Sequence, residues 1–321
     1  MKSVIALVLP LLFSALSGQA EDKCQFNTNS VIKAASAAVR DKYVLADKAD
    51  ILSKQIAELA DSAELEQYCN NTQTFSKKIT DKIRKLSDDK HFYLEHVGDQ
   101  DESNNWIEQW RIEAPKNNYG VKKIEILSGN IAYISLSSFH TFENAKPTLG
   151  AAFTLIQHSN GLILDLRNNG GGDENTAGAI LESLIDTTKP LPFVIESRQK
   201  KIKPSRITTL PWPAYGTDRP LVILINDRSF SAAESVAFSL QQLGRAKIIG
   251  TASAGGAHMM DTPQSLPFGF EIGIPNSRPV SILTEGPINW EGNGVKPDIE
   301  ANDLKSLEVA LNIIKKQLNP Q

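Results

Sequence analysis

Hydrophobic spacing divides the chain into two parts. Between residues 28 and 87, apolar side chains recur every three or four residues with charged residues between them, as at Phe75, Ile79 and Ile83. That interval is the period of an amphipathic α-helix. We therefore predict a small helical N-terminal domain over residues 21–97.

After residue 120 the pattern changes to short apolar runs that alternate with helical periods. The runs at 161–166 and 221–225 are typical of buried strands, and each is followed by a turn and a helical pattern. This alternation predicts an α/β domain over residues 121–321, in which helices cover a sheet. Residues 98–120 carry no sustained period and are rich in Asn, Asp and Glu, so we interpret them as a linker or surface excursion.

The first twenty residues have the pattern of a secretory signal peptide. Lys2 precedes an apolar run from Val4 to Leu16, and small residues follow up to Ala20. The run is shorter than the roughly 20 residues that span a bilayer. We expect a signal peptide over residues 1–20, no membrane span, and an exported protein that is periplasmic or secreted.

Charge and cysteine content narrow the function classes. The chain has 34 Lys and Arg against 37 Asp and Glu, a net charge of −3, which argues against a nucleic-acid partner. There is no HExxH motif or cysteine ladder, so we expect neither a metal nor a cofactor. In an exported chain the two cysteines, Cys24 and Cys69, are most simply a disulfide, with two buried free thiols as the alternative.

A serine lies where a buried strand turns into a helix. Ser231 follows the run 221–225 and precedes Ala232, Ala233 and Glu234. A hydroxyl at that junction is placed as a nucleophile would be. The same four residues also fit a capping box, and the two roles are compatible.

A glycine-rich turn follows the other buried strand. Residues 167–172 read Arg-Asn-Asn-Gly-Gly-Gly. Such a turn lets backbone N–H groups approach an anion, either a phosphate or the oxyanion of a tetrahedral intermediate, and a plain tight turn is the alternative. An activated serine also needs a base, but the pattern does not choose among the five histidines.

Three segments together resemble one peptidase family. They are residues 162–172, 225–258 and 289–299, in that order and spacing. They resemble the family of C-terminal processing (tail-specific) serine proteases, the tricorn protease core and the interphotoreceptor retinoid-binding protein. The resemblance implies a ClpP/crotonase-like β-sheet spiral flanked by helices, preceded by a helical region.

The resemblance also implies roles for individual residues. The nucleophile falls on Ser231, and the oxyanion donors fall on the amides of Ala232 and Gly171. Tail-specific members carry a lysine base in the loop that here reads Ala-Gly-Gly-Ala at 254–257. Because no lysine is there, the chain resembles the tricorn-like branch, whose histidine base matches His91 and whose orienting glutamate matches Glu291.

The loops of the chain add candidates for substrate binding. Gly170, Gly172 and His258 lie in flexible loops and are candidate substrate-binding residues, although His258 fits a turn cap equally well. No PDZ domain fits between residues 97 and 121, so the sequence does not predict recognition of substrate tails.

We expect a serine endopeptidase acting on protein or peptide substrates, with a fall in kcat/KM below a pH of about 6.5. The alternative is a non-proteolytic ligand-binding protein on the same scaffold, like the retinoid-binding relative.

Overall fold

A computed structural model of the chain describes residues 24–98, 112–207, 209–283 and 289–319. The predicted signal peptide and most of segment 98–120 lie outside these ranges. The helices are α1 (Thr28–Lys42), α2 (Ala46–Glu58), α3 (Ala63–Glu66), α4 (Thr72–Ser87), α5 (Phe142–Leu155), α6 (Glu174–Glu182), α7 (Ala232–Gln242) and α8 (Ser306–Leu318). The strands are β1 (Tyr93–His96), β2 (Val121–Leu127), β3 (Ile131–Leu136), β4 (Gly161–Asp165), β5 (Phe193–Ser197), β6 (Lys201–Ile202), β7 (Leu221–Ile225), β8 (Lys247–Gly250), β9 (Gln264–Leu266), β10 (Phe270–Gly273), β11 (Ser277–Ser281) and β12 (Ile299–Glu300).

A six-stranded sheet forms the centre of the molecule. Its order is β12-β8-β7-β4-β3-β2, and every neighbouring pair is parallel except β2 with β3. The two central strands, β4 and β7, are buried along their whole length. Parallel strands need a covering layer on both faces, which explains why these two read as continuous apolar runs.

Successive residues of the central strands face two different cores. Ile223 and Ile225 pack with residues of α5, α6 and α7 on one face of the sheet. Val222 and Leu224 pack with Ala310 and Ile314 of α8 on the other. The prediction of an α/β fold with a helix-covered sheet is confirmed.

The N-terminal helices share their core with a later part of the chain. Their buried side chains pack against Phe270, Ile272 and Ile274, and β1 pairs antiparallel with β10. The helical region therefore includes the sheet β1-β10-β9, which the spacing of residues 28–87 alone does not indicate. This pairing places the segment that follows α4 beside β10, a strand from the later part of the chain.

Details at the edges differ from the sequence expectations. Within segment 98–120, residues 112–116 are helical and Asn118–Gly120 form a 3-10 turn. Leu304 lies before α8 and is 92% exposed. Among the described residues no helix has the length and hydropathy to cross a membrane.

A disulfide joins Cys24 to Cys69, as predicted, with 5.0 Å between their Cα atoms. The bridge closes a loop of 45 residues. In the chain-entropy model such a loop stabilises the fold by about 4 kcal/mol. We expect Cys24→Ser/Cys69→Ser to lower the free energy of unfolding in urea by about 3–4 kcal/mol. Wild type kept in reductant is the matched control, and equal unfolding midpoints for its reduced and oxidised forms would contradict the prediction.

Candidate active site

The serine turn and the glycine turn lie side by side because their strands do. β4 and β7 are adjacent and parallel, so the segments that leave their carboxyl ends meet at one edge of the sheet. The amide of Phe230 donates to the carbonyl of Asn169 at 2.9 Å. A Cβ added to Gly171 would lie 2.9 Å from the Cβ of Ser231. Only glycine therefore lets the two turns come this close.

Ser231 has a backbone conformation that L-residues rarely adopt. Its φ is 54° and its ψ is −120°, at the residue that precedes α7. Positive φ at a serine costs roughly 1–3 kcal/mol and persists where the surroundings hold it, which is typical of functional turns. The Glu234 carboxylate accepts the Ser231 amide at 2.8 Å, so the capping interaction and the strained turn occur together.

Glu234 also holds the loop that faces Ser231. Its side chain is fully buried and accepts the Ser253 hydroxyl at 2.5 Å and the amides of Gly255 and Gly256 at 2.7 and 2.8 Å. Burial raises the pKa of Glu234, and these hydrogen bonds oppose that rise. A single carboxylate thus fixes both the serine turn and the opposite loop.

His91 comes to Ser231 from a distant part of the sequence. It lies between α4 and β1, and its Nε2 is 3.1 Å from the Oγ of Ser231. The imidazole stacks on the ring of Phe230 with centroids 4.7 Å apart. Burial lowers the pKa of His91 to about 4, so the ring is neutral near pH 7. A neutral imidazole at this distance can accept the serine proton.

Glu291 does not orient His91 directly. Its Oε2 accepts the amides of Ala257 and His258 at 2.6 and 2.9 Å, and no hydrogen bond to His91 exists in the described part of the chain. Burial is the main cause that raises the pKa of Glu291, and the nearby Asp89 carboxylate adds to it. The predicted orienting glutamate therefore supports the loop beside His91 and reaches the imidazole only through that loop.

His258 is buried and bonded to another side chain. It is 4% exposed, and its Nδ1 is 2.6 Å from the Oδ2 of Asp89. Although the residue lines the cavity beside Ser231, this hydrogen bond occupies Nδ1. A substrate-binding role for His258 stays a prediction.

The amide of Gly171, predicted as an oxyanion donor, already has an acceptor within the turn. The amide of Gly171 donates to the Oδ1 of Asn169 at 2.8 Å, so it is already engaged. Gly172 and Ala232 line the same cavity as Ser231, and no hydrogen bond within the described ranges uses their amides. Gly170 is exposed and is not among the residues that line this cavity.

A cavity of about 470 Å³ opens beside Ser231. Its apolar wall includes Leu181, Leu191, Phe193 and Trp290. These side chains come from different elements of the central domain, and each of the four is at most 8% exposed. The cavity can therefore accept an apolar group next to the serine hydroxyl.

One group of side chains in the described ranges has donor atoms close enough to chelate a cation. Ligand atoms of Asp89, His258 and Glu291 lie within 4.8 Å of one another. Hydrogen bonds already use them, since Asp89 accepts from His258 and Glu291 accepts two backbone amides. We assign the group to hydrogen bonding.

Gly256 leaves the space that His91 occupies. A Cβ there would lie 2.0 Å from the ring of Phe230 and 2.8 Å from the Cε1 of His91. We expect Gly256→Ala to displace the imidazole and lower kcat about 100-fold, the usual cost of a misplacement of about 1 Å. Steady-state kinetics with thermal unfolding in parallel measures this. Gly178→Ala is the control because its Cβ would meet only Ile207 at 3.9 Å, and equal activity of both variants would contradict the prediction.

The roles of two residues of the site were not predicted from the sequence. Asp89 gave no signal beyond its place two residues before His91, and its contacts with Tyr43 and His258 join distant parts of the chain. Glu234 was visible only as a capping residue. A carboxylate three residues after a candidate serine carries no hint that it also binds a loop about twenty residues further on.

Comparison with known proteins gives the family of the chain. The model of peptidase family S41 matches residues 130–301, which is more than half of the chain. A carboxy-terminal-processing protease from Bartonella bacilliformis is 29% identical over 179 residues, which cover 54% of this chain and 39% of that protein. The chain spans well under half the length of the curated relatives that it matches first.

Solved structures share the fold. A lipoprotein from Streptococcus agalactiae aligns with a TM-score of 0.60 at 16% identity, covering 97% of this chain and 99% of that one. The tricorn protease aligns with a TM-score of 0.56 at 16% identity, covering 91% of this chain and 37% of that one. The resemblance seen in three sequence segments is confirmed, and the chain belongs to peptidase family S41.

Proposed function

We propose that this chain is a serine endopeptidase in which Ser231 is the nucleophile and His91 is the general base. The observation that carries the proposal is the 3.1 Å distance between His91 Nε2 and Ser231 Oγ, at a serine with strained backbone. These two residues lie 140 positions apart in sequence. Nucleophilic catalysis by a serine requires a general base within hydrogen-bonding distance of its hydroxyl, and this contact supplies one.

The reaction follows from the positions of these atoms. Ser231 Oγ attacks the scissile carbonyl carbon while its proton moves to Nε2 of His91. The carbonyl oxygen becomes an oxyanion, which accepts hydrogen bonds from the amides of Ala232 and Gly172. His91 then gives its proton to the leaving amine, and a water molecule, activated by the same imidazole, releases the acyl group from Ser231. Glu291 contributes by holding the loop at residues 257–258.

The cavity beside Ser231 supports a preference for apolar side chains in the substrate. Four of its wall residues, Leu181, Leu191, Phe193 and Trp290, are hydrophobic and largely buried. Burial of an apolar side chain contributes roughly 1.5–3 kcal/mol to binding. We therefore propose protein or peptide substrates with an apolar residue next to the cleaved bond.

Export is part of the same proposal. The pattern of residues 1–20 indicates a signal peptide, and a disulfide between Cys24 and Cys69 is typical of an oxidising compartment. Together they support a periplasmic or secreted enzyme.

Cleavage of an unfolded protein tests the function. The purified wild-type chain should cleave a reduced, carboxymethylated protein, with mass spectrometry identifying apolar residues at the new termini. Ser231→Ala is the matched control and should leave the substrate intact. Persistent cleavage by Ser231→Ala would contradict the proposal, and a folded wild type that cleaves nothing but binds apolar ligands would favour the ligand-binding alternative.

The burial of His91 sets the pH dependence of the reaction. The base must be neutral, and burial lowers its pKa to about 4, below the ordinary 6.5 that the sequence suggested. Protonation therefore begins only well below pH 6, and we expect kcat/KM to stay level down to a pH of about 5 and then fall about tenfold per unit below about 4. Initial rates across this range, with folding checked by circular dichroism, measure the profile. A half-loss near pH 6.5 would show a solvated imidazole, and a rise only above pH 8 would indicate a lysine base.

A further inference from the structure

The proposed base lacks a partner on its second nitrogen. To accept a proton at Nε2, the neutral imidazole of His91 must carry its hydrogen on Nδ1. Nδ1 is buried and has no hydrogen-bond partner in the described part of the chain. A carboxylate oxygen of Asp89 lies 3.9 Å from this nitrogen. That is too long for a hydrogen bond but close enough for strong attraction to an imidazolium.

Asp89 is held in one orientation by three donors. Its Oδ1 accepts the backbone amide of His91 at 3.0 Å. Its Oδ2 accepts from Nδ1 of His258 at 2.6 Å and from the hydroxyl of Tyr43 at 3.3 Å. The side chain is 1% exposed. Because both oxygens are engaged, the carboxylate cannot turn away from the base.

His258 is fixed in turn by the loop that carries it. Glu291 accepts the backbone amide of His258 at 2.9 Å, and its Oε2 lies 3.8 Å from Nδ1 of the same residue. The ring of Tyr43 packs edge-on against His258 with centroids 6.2 Å apart. Nδ1 of His258 therefore points at Asp89, and a second carboxylate, that of Glu291, lies close to the same nitrogen.

We propose that Asp89 is the positioning residue that holds His91 and stabilises its protonated form during catalysis, and that His258 keeps Asp89 in place. This inference rests on the function proposed for Ser231 and His91. When the serine proton joins Nε2, the imidazolium forms 3.9 Å from the carboxylate of Asp89, and the proton stays on His91 until it passes to the leaving amine.

The groups around His91 shift its pKa in opposite directions. Burial is the largest influence on the pKa of His91 and lowers it; Asp89 raises this pKa, and His258 and Arg84 lower it further. Of the groups around Asp89, Tyr43 is neutral because burial raises the pKa of its hydroxyl far above the ordinary value. Removing the charge of Asp89 must therefore move the protonation of His91 to lower pH, and removing His258 must move it to higher pH.

The experiment compares three variants of the full chain with wild type on the cleaved substrate. Asp89→Asn should lower kcat roughly 100- to 1000-fold with KM within a few-fold of wild type. It should also move the acid limb, which is the fall of kcat/KM at low pH, to lower pH. His258→Asn keeps a donor close to the position of Nδ1, so kcat should stay within about tenfold of wild type while the acid limb moves to higher pH. Asp88→Asn is the matched control. It removes an exposed carboxylate one position away, at a left-handed residue that asparagine tolerates, and should change neither parameter.

Opposite displacements of the acid limb distinguish positioning from a merely structural role, because a loss of packing would lower activity without moving the limb in a fixed direction. An Asp89→Asn variant with the kcat and the acid limb of wild type would overturn the inference. An acid limb displaced to higher pH in that variant would also overturn it. If Asp89→Asn does not fold, His258→Asn decides, since an unmoved limb in that variant refutes the inference. Active wild type with inactive Ser231→Ala keeps the proposed function standing in each of these cases.

Discussion

Ser231→Ala is expected to lower kcat at least 10,000-fold while leaving the protein folded. Removal of a serine nucleophile leaves only the rate enhancement from binding and oxyanion contacts, which is a small part of the whole. The side chain is partly exposed and its hydroxyl pairs with His91, so its loss opens no cavity in the core. Single-turnover and steady-state rates on the same substrate measure the effect.

His91→Ala should cost nearly as much, and the double variant should be scarcely worse than either single one. Residues that act as one unit show such non-additive losses because removing either member disables the other. Independent roles would instead give losses that multiply, and that result would contradict the assignment.

Two lysines serve as controls for the identity of the base. Lys90 donates to the carbonyl of Ala254, and Lys247 pairs with Asp298 at 3.7 Å. Neither is hydrogen-bonded to Ser231 in the described part of the chain. Lys90→Ala and Lys247→Ala should retain activity within a few-fold. A large loss in either, with His91→Ala still active, would move the base to that lysine.

Glu234→Ala should produce the second large effect, on stability as well as on activity. The substitution leaves four donors without their acceptor: the Ser253 hydroxyl and the amides of Gly255 and Gly256, which are buried, and the partly buried amide of Ser231. Unsatisfied buried donors cost about 1–3 kcal/mol each when water cannot reach them. We expect the free energy of unfolding to fall by about 4 kcal/mol and kcat to fall 100-fold or more, since both the serine turn and the loop beside His91 lose their anchor.

The control for Glu234 is an acidic residue at a similar place in another helix. Glu308 lies in the first turn of α8 and is exposed. Glu308→Ala should change the free energy of unfolding by less than about 0.5 kcal/mol and leave kcat unaltered. Urea unfolding and kinetics on both variants measure these effects. A fully active, stable Glu234→Ala would contradict the role given to this carboxylate.

Local patterns in the sequence predicted the scaffold of the site well. The apolar runs of β4 and β7 are buried on both faces, and strands of that kind are readable as continuous hydrophobic segments. The turn before Ser231 and the glycine turn after β4 follow directly from these strands. Cys24 and Cys69 were predictable as a pair because a chain with two cysteines has only one possible pairing within it.

Contacts across the fold were not predictable in this way. Asp89 and His258 lie 169 positions apart, and the sequence between them contains no period or motif that links the two. Their hydrogen bond depends on how β1 pairs with β10. The engagement of the Gly171 amide by Asn169 depends on the detailed path of a turn rather than on its composition. Hydrophobic periodicity specifies which face of an element is buried, and it does not specify which polar groups meet.

Labelling with a fluorophosphonate probe tests the central claim most directly. Such a probe forms a covalent bond to a serine whose hydroxyl is activated by a base, and mass spectrometry locates the adduct. Wild type should carry one adduct on Ser231, Ser231→Ala should carry none, and His91→Ala should label at least 100-fold more slowly. An unlabelled folded wild type, an adduct on another residue, or labelling of His91→Ala at the wild-type rate would contradict a catalytic pair formed by Ser231 and His91.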